Sequence, residues 1–364
     1  MQLPQPAAEA LAHSERVRQH IVREIESAGG WIDFARYMEL ALYAPGLGYY
    51  SAGADKFGAG GDFVTAPEIS PLFGRSLARP VAEVLRAMGG DILEVGAGSG
   101  KLALQLLSEL RKAEALPDHY YILELSADLR QRQQALLRER VPGLCERVQW
   151  LDALPQSFSG VVLGNEVLDA MPAHLVHWQR GGMRERGVVI RDRVLAWEDR
   201  AIVNEALQQV AARLVPEDDF LSEISLAAPA FIRSVEAMLR KGRAIFIDYG
   251  FLREEFYHPQ RNRGTLMCHY RHYAHDNPFH LPGLQDITAH VDFGAIGDTA
   301  RESGLEVVRY STQARFLIDC GITDLLAETD PQHAAAYLPL ANQVQRLTSP
   351  AEMGELFKVI VLEK

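Results

Sequence analysis

The chain has 364 residues, 48% of them hydrophobic, with no biased tract, which is enough for one large domain with a sizeable core plus a smaller appendage. A formal net charge of -11 argues against a broad nucleic-acid surface, which relies on clustered Lys and Arg, and is compatible with a basic substrate. No apolar run reaches bilayer length, the start (Pro4, Pro6, Glu9) has no basic-then-apolar signal segment, and Cys145, Cys268 and Cys320 form no C-x-x-C pair, so a soluble, cytoplasmic chain without disulfide framework or zinc site is expected.

In chain order, residues 15–27 carry Val17, Ile21, Val22 and Ile25 on one helical face, and residues 34–43 follow as a shorter helix. The stretches 43–51 and 58–63 are too rich in glycine for regular structure and suit loops lying close over a ligand, and a helix resumes over 70–88. Residues 1–88 thus read as an N-terminal helical cap with ligand-covering loops, and residues 89–364 as the main domain.

The apolar run 92–95 then enters three alternating glycines, Gly96, Gly98 and Gly100, ahead of an apolar helical stretch over 102–110. Gly96 and Gly98 let the chain turn tightly and let a ligand approach bare backbone, and the helix N-terminus faces that ligand. A nicotinamide fingerprint needs its third glycine three residues after the second, where this chain has Lys101. The spacing Glu94-x-Gly96-Ala97-Gly98-x-Gly100 instead resembles the first motif of class I S-adenosylmethionine methyltransferases, which implies that these residues hold the methyl donor.

The next apolar run, 120–123, ends in Glu124, a carboxylate at a strand tip that can accept hydrogen bonds from both ribose hydroxyls. Residues 148–152 read as a third strand ending in an acid, and the resemblance places Leu151 and Asp152 beside the adenine ring. The nearly uncharged run 160–164 fits a strand buried on both faces and ends in Asn165, Glu166 and Asp169. Runs 175–178, 186–190 and 194–197 alternate around Gly181, Gly182, Asp192 and Arg193, predicting a small antiparallel insertion within 173–240. Strand five returns over 243–248, a second, histidine-rich insertion spans 250–300, and runs 305–310 and 357–362 close the sheet around a helical insertion. The predicted fold is α/β: a seven-stranded Rossmann-like class I methyltransferase sheet, mostly parallel with an antiparallel C-terminal strand, plus the cap and insertions.

Four segments, residues 43–50, 61–70, 164–172 and 285–293, narrow the resemblance. In this order they resemble the MidA family, mitochondrial complex I assembly methyltransferases and their bacterial relatives, over nearly the whole chain. The resemblance implies a class I fold and S-adenosyl-L-methionine as donor. In the mitochondrial members it implies methylation of an arginine in a complex I subunit, so an arginine-bearing protein partner is expected here.

A guanidinium is a poor nucleophile because it is protonated and delocalised. Carboxylates can fork onto its nitrogens, hold the charge away from the attacking nitrogen and receive a proton. Glu166 and Asp169 are spaced for this, although Asp169 fits an N-cap equally well. Asn165 would contact the donor or orient Glu166. His290, with Asp292, would close the substrate pocket and accept a proton, its alternative being a structural histidine. Tyr49, Tyr50 and Thr65 would line the donor or arginine pocket, or pack in the core. Glu68 is either a substrate contact or a first-turn acid serving a helix dipole. His269, His272, His275 and His280 lack ligand spacing, and methyl transfer needs no metal, so none is expected. The N-P-P-Y motif of amide and adenine methyltransferases is absent, which disfavours those acceptors. Two other readings remain open: a partner-binding assembly factor with a vestigial donor site, and a small-molecule methyltransferase.

Overall fold

The computed structural model describes residues 3–52, 64–214 and 219–364. Its central sheet is built from β1 (Asp91–Val95), β2 (Tyr120–Leu123), β3 (Val148–Leu151), β4 (Phe158–Asn165), β5 (Leu239–Phe251), β6 (Glu306–Thr312) and β7 (Phe357–Glu363). The spatial order is β6-β7-β5-β4-β1-β2-β3. Strands β1 to β5 run parallel, and β7 lies antiparallel between β5 and β6. The two residues Val291–Asp292 add an eighth short strand, parallel to the end of β5. A class I methyltransferase sheet is thus present, with its C-terminal strand antiparallel as expected.

The strands are apolar on both sides because both sides are covered. Along β4 and β5, Val161, Leu163, Ile245 and Ile247 face one core, which helices Pro71–Met88 and Lys101–Lys112 close with Phe73, Leu77, Leu106 and Leu107. The alternate residues Val162, Ala244 and Phe246 face a second core, closed by helices Ala227–Met238 and Phe293–Ser303 through Ile232, Val235, Phe293 and Ile296. This period-two division of one strand between two cores excludes water from the sheet backbone and leaves its carboxyl edge as the place for a site.

Helix Ala8–Ser27 begins before the expected residue 15, and Phe34–Tyr43 is capped by the Asp33 carboxylate, which accepts the Arg36 amide at 2.8 Å. Both pack against the insertion: Val17, Ile21, Phe34 and Tyr37 share a core with Leu175 and Val188. The insertion sheet has five strands, His174–Gln179, Gly182–Arg191 and Val194–Ala201 being joined by Ile32–Asp33 and Phe220–Ile224. Helix Pro71–Met88, by contrast, belongs to the main sheet's cover. Among the described residues no helix is long and apolar enough to cross a membrane.

Candidate functional site

β1 delivers the chain into Gly96, Gly98 and Gly100 at φ of 65°, 54° and 82°, all left-handed, where a side chain is strained. Space is also short: a Cβ on Gly100 would lie 3.1 Å from Gln133 Cγ, and one on Gly96 3.3 Å from Val167 Cγ2. The loop borders a cavity of about 290 Å³ at the carboxyl ends of β1, β2 and β4. Its walls are largely apolar, with Val95, Leu102, Leu123 and Leu129 around the carboxyls of Glu94, Glu124 and Glu166.

One side chain ties the parts of this cavity together. The Gln133 amide donates to the Gly98 carbonyl at 2.9 Å and to Glu124 Oε2 at 3.1 Å, while its carbonyl accepts the Trp150 indole N–H at 2.8 Å. The other Glu124 oxygen accepts the Ser126 amide at 2.9 Å, and burial raises this carboxyl. Glu94 accepts the Tyr120 hydroxyl at 2.6 Å, and burial with the Glu124 charge pushes it up to about 7 against that bond.

At the end of β4, Glu166 adopts φ 54°, a left-handed conformation that costs a non-glycine residue of order 1–3 kcal/mol. Its amide donates to the Ile247 carbonyl at 2.8 Å. The next three amides, of Val167, Leu168 and Asp169, all donate to Asp248 Oδ2, at 3.1, 2.8 and 3.3 Å. The strained turn is therefore held from β5. The Glu166 carboxyl accepts the Asn165 amide at 3.0 Å and, at 3.4 Å, the Ala66 N–H. Desolvation, reinforced by the Asp169 charge, pushes it up to about 8, and burial pushes Asp169 up to about 6 against a Tyr249 hydrogen bond. Two neighbouring acids that are hard to ionise form a place where an arriving cation draws off protons and is held.

Glu94, Gly96, Ala97, Gly98, Glu124, Asn165, Glu166, Tyr50 and Thr65 line the cavity. Gly100 backs it as the left-handed start of helix Lys101–Lys112. Tyr49 does not line it: its ring is buried behind Tyr50, 5.1 Å between centroids. Glu68 stands one layer back and bonds Ser99 and Lys101, which do line it. Leu151 and Asp152 also lie off the cavity, because Arg130 reaches across the tip of β3 to the Leu151 carbonyl at 2.6 Å and the Asp152 carboxylate at 2.7 Å. Leu125, Ser126 and Leu129 supply that wall instead. Asp169 and His290 face a neighbouring cavity. The His290 ring stacks on Phe251 at 5.3 Å, and burial lowers it to about 4, so it is a weak proton acceptor at neutral pH. Asp292 caps helix Phe293–Ser303 by accepting the Ala295 amide. Gly61 and the rest of the expected loop through residue 63 lie outside the described residues.

Tyr43, which opens the stretch 43–51 expected to lie over a ligand, also lines the cavity. Two contributors have no role in the sequence reading. Gln133 sits mid-helix in a charged stretch. Asp248 had a usable signal, an acid closing the parallel strand next to the one that ends in Glu166. Of potential metal ligands, Asp33, His174 and Glu185 come together, but on the insertion sheet, where His174 Nδ1 pairs with Glu185 at 2.7 Å and Asp33 serves as a helix cap.

A protein family described as "Putative S-adenosyl-L-methionine-dependent methyltransferase" matches residues 76–311. The mitochondrial protein arginine methyltransferase NDUFAF7 of Danio rerio is 28% identical over 384 residues, covering 95% of this chain and 87% of its own length. The Drosophila melanogaster NDUFAF7 homolog is 27% identical, covering 100% and 89%. Among solved structures, a COG1565 superfamily member from Burkholderia thailandensis bound to S-adenosyl-homocysteine is 54% identical with a TM-score of 0.97, covering 100% of this chain and 95% of that one.

Proposed function

The chain belongs to the S-adenosyl-L-methionine-dependent methyltransferase family, and from that premise we propose that it transfers a methyl group to an arginine side chain of a protein partner. The observation that carries this reading is Glu166, poised at about 8 at the wall of the glycine-loop cavity with a second acid three residues on. The arginine acceptor is supported by the names of the relatives and by the match of a charge-poor, acid-lined turn to a cationic acceptor.

The cavity residues fit the donor. Glu124 would take the ribose hydroxyls, and the bare backbone of Gly96 and Gly98 leaves room for close approach. Glu94 and the helix start at Lys101 bracket the polar end. When bound, the donor supplies a methyl group on a positively charged sulfur. Glu166, in ionised form, would accept the guanidinium N–H groups, hold their charge away from the attacking nitrogen and take the proton released once that nitrogen is alkylated. Asn165 and Asp248 would fix its direction, and Tyr43 and Tyr50 shield the site from water. Incubation of the purified protein with isotope-labelled donor and arginine-bearing proteins tests the reading: label recovered in methylarginine supports it, and label recovered only in a small molecule overturns it.

A further inference from the structure

A second cavity, of about 330 Å³, lies across the turn from the first. Val167 and Ala170 face the first, Leu168 and Asp169 the second, and Met171 lines both. Its outer wall comes from the insertion, helix Glu205–Arg213 and strand Phe220–Ile224, and its inner wall from helices that cover the main sheet. The insertion thus builds a cleft directly behind the turn that carries Glu166.

Two observations say what the cleft would hold. Asp169 is only 3% exposed, yet its Oδ1 has no hydrogen-bond partner, and the same is true of His290 Nδ1 in the same wall. A buried carboxylate oxygen left bare calls for a donor. Arg213 and Arg233 also line the cleft, from helices Glu205–Arg213 and Ala227–Met238, and form no ion pair among the described residues, whereas Arg253 is engaged with Asp298 at 2.9 Å. Of the lining acids, Glu223 is bonded to the amides of Thr265 and Leu266, Asp292 caps a helix and Asp298 is paired; Glu302 forms no ion pair among the described residues. The cleft therefore offers a buried acceptor at one place and two uncommitted guanidinium groups at another, on a chain whose net charge is -11.

We infer that this second cavity is the acceptor cleft: it receives the segment of the protein substrate around the methylated side chain, directing the guanidinium to Asp169 and holding an acidic neighbour on Arg213 and Arg233. The inference rests on the arginine-transfer reading above. Met171 is the side chain common to both cavities, and the acceptor would pass it to reach Glu166.

Binding of fluorescein-labelled peptides to the full-length protein with S-adenosylhomocysteine present tests this by anisotropy. The probes are a short peptide with one arginine flanked by glutamates and the same peptide flanked by lysines. The glutamate-flanked peptide should bind about tenfold more tightly, Arg213→Glu with Arg233→Glu should reverse the order, and Ala206→Trp, at an exposed position of the outer wall, should weaken binding of the glutamate-flanked peptide while calorimetry shows unchanged S-adenosylhomocysteine affinity. Equal binding of both peptides, or a preference untouched by charge reversal, overturns the cleft. Mass spectrometry of the same mixtures with S-adenosylmethionine separates the two claims. Arginine methylation without charge preference removes the cleft and keeps the transfer reading. Charge-selective binding with methyl found on residues other than arginine keeps the docking cleft and removes arginine transfer.

Discussion

Asp248 accepts the Leu168 amide at 2.8 Å, and through the same oxygen it also holds the amides of Val167 and Asp169. A carboxylate near the end of β5 thereby fixes the turn at the end of β4, and the backbone bond from Glu166 to the Ile247 carbonyl completes the tie. The three N–H bonds favour its charged form, while burial and the charges of Asp169 and Glu166 hold its acidity well below normal.

Removing that carboxylate separates positioning from donor binding. Asp248→Ala leaves three amides without their acceptor, and each buried unpaired group costs about 1–3 kcal/mol. Urea unfolding should show a loss of about 3 kcal/mol or more. Asp248→Asn keeps one acceptor oxygen, so it should fold, bind S-adenosylhomocysteine with unchanged affinity in calorimetry, and lose about tenfold or more in kcat. Weakened nucleotide binding in the Asn variant would place Asp248 in the donor site rather than behind Glu166.

The raised Glu166 carboxyl predicts a pH profile. Its folded value of about 8 means the free protein is largely protonated there at neutral pH, and transfer needs the ionised form. Below about 8, kcat/KM should fall roughly tenfold per pH unit. A cationic donor and acceptor favour ionisation, so the same limb in kcat should lie at lower pH. A profile flat between pH 6 and 9 would show that this carboxyl does not control the rate.

Stability should run against pH in the same window. Glu166 rises from 4.5 to about 8 on folding, Glu94 from 4.5 to about 7 and Asp169 from 3.8 to about 6, so through these three carboxyls the native state binds more protons than the unfolded chain between these limits, against the opposite contribution of His290, lowered from 6.5 to about 4. Stability is then greatest at the acid end of the window and is lost as pH rises from about 4 to 8. Thermal melting of the unliganded protein in matched salt should decline across this range, and Glu166→Gln should flatten the upper part. A melting temperature that climbs steadily from pH 5 to 8 would contradict the shifts.

Gln133 offers a test of the donor pocket that leaves the glycines intact. Gln133→Ala frees the Gly98 carbonyl, one Glu124 oxygen and the Trp150 indole N–H together. Each hydrogen bond contributes about 0.5–1.5 kcal/mol net, so S-adenosylhomocysteine affinity should fall about tenfold with the fold retained by circular dichroism. Unchanged affinity would mean that the loop is held by its own turn alone.

Much of this architecture is legible from residue pattern because the parallel strands are apolar on both faces and end in acids. Helix Phe34–Tyr43 and the places of most strands along the chain follow from periodicity and glycine placement, whereas their arrangement as one seven-stranded sheet is implied by the resemblance to class I methyltransferases. Strand Phe220–Ile224 is not readable, since Glu223 interrupts its apolar run and is buried only because Thr265 and Leu266 satisfy it from 42 and 43 residues away. Asp248 acts on Val167, 81 positions away, and Gln133 on Gly98, 35 positions away, relations that no local spacing encodes. Resemblance placed Leu151 and Asp152 at the site, but Arg130 reaches across the β3 tip to both, a side-chain contact that no local spacing encodes.

The most direct test of the account is methyl transfer by the wild-type protein and Glu166→Gln compared under one set of conditions. Both are supplied with tritiated S-adenosylmethionine and the proteins that co-purify with the chain, and protein hydrolysates are resolved for methylated amino acids. The account predicts label in methylarginine with wild type, and loss of at least about a hundredfold with Glu166→Gln at equal S-adenosylhomocysteine affinity. Equal transfer by the two proteins, or label confined to residues other than arginine, would contradict it.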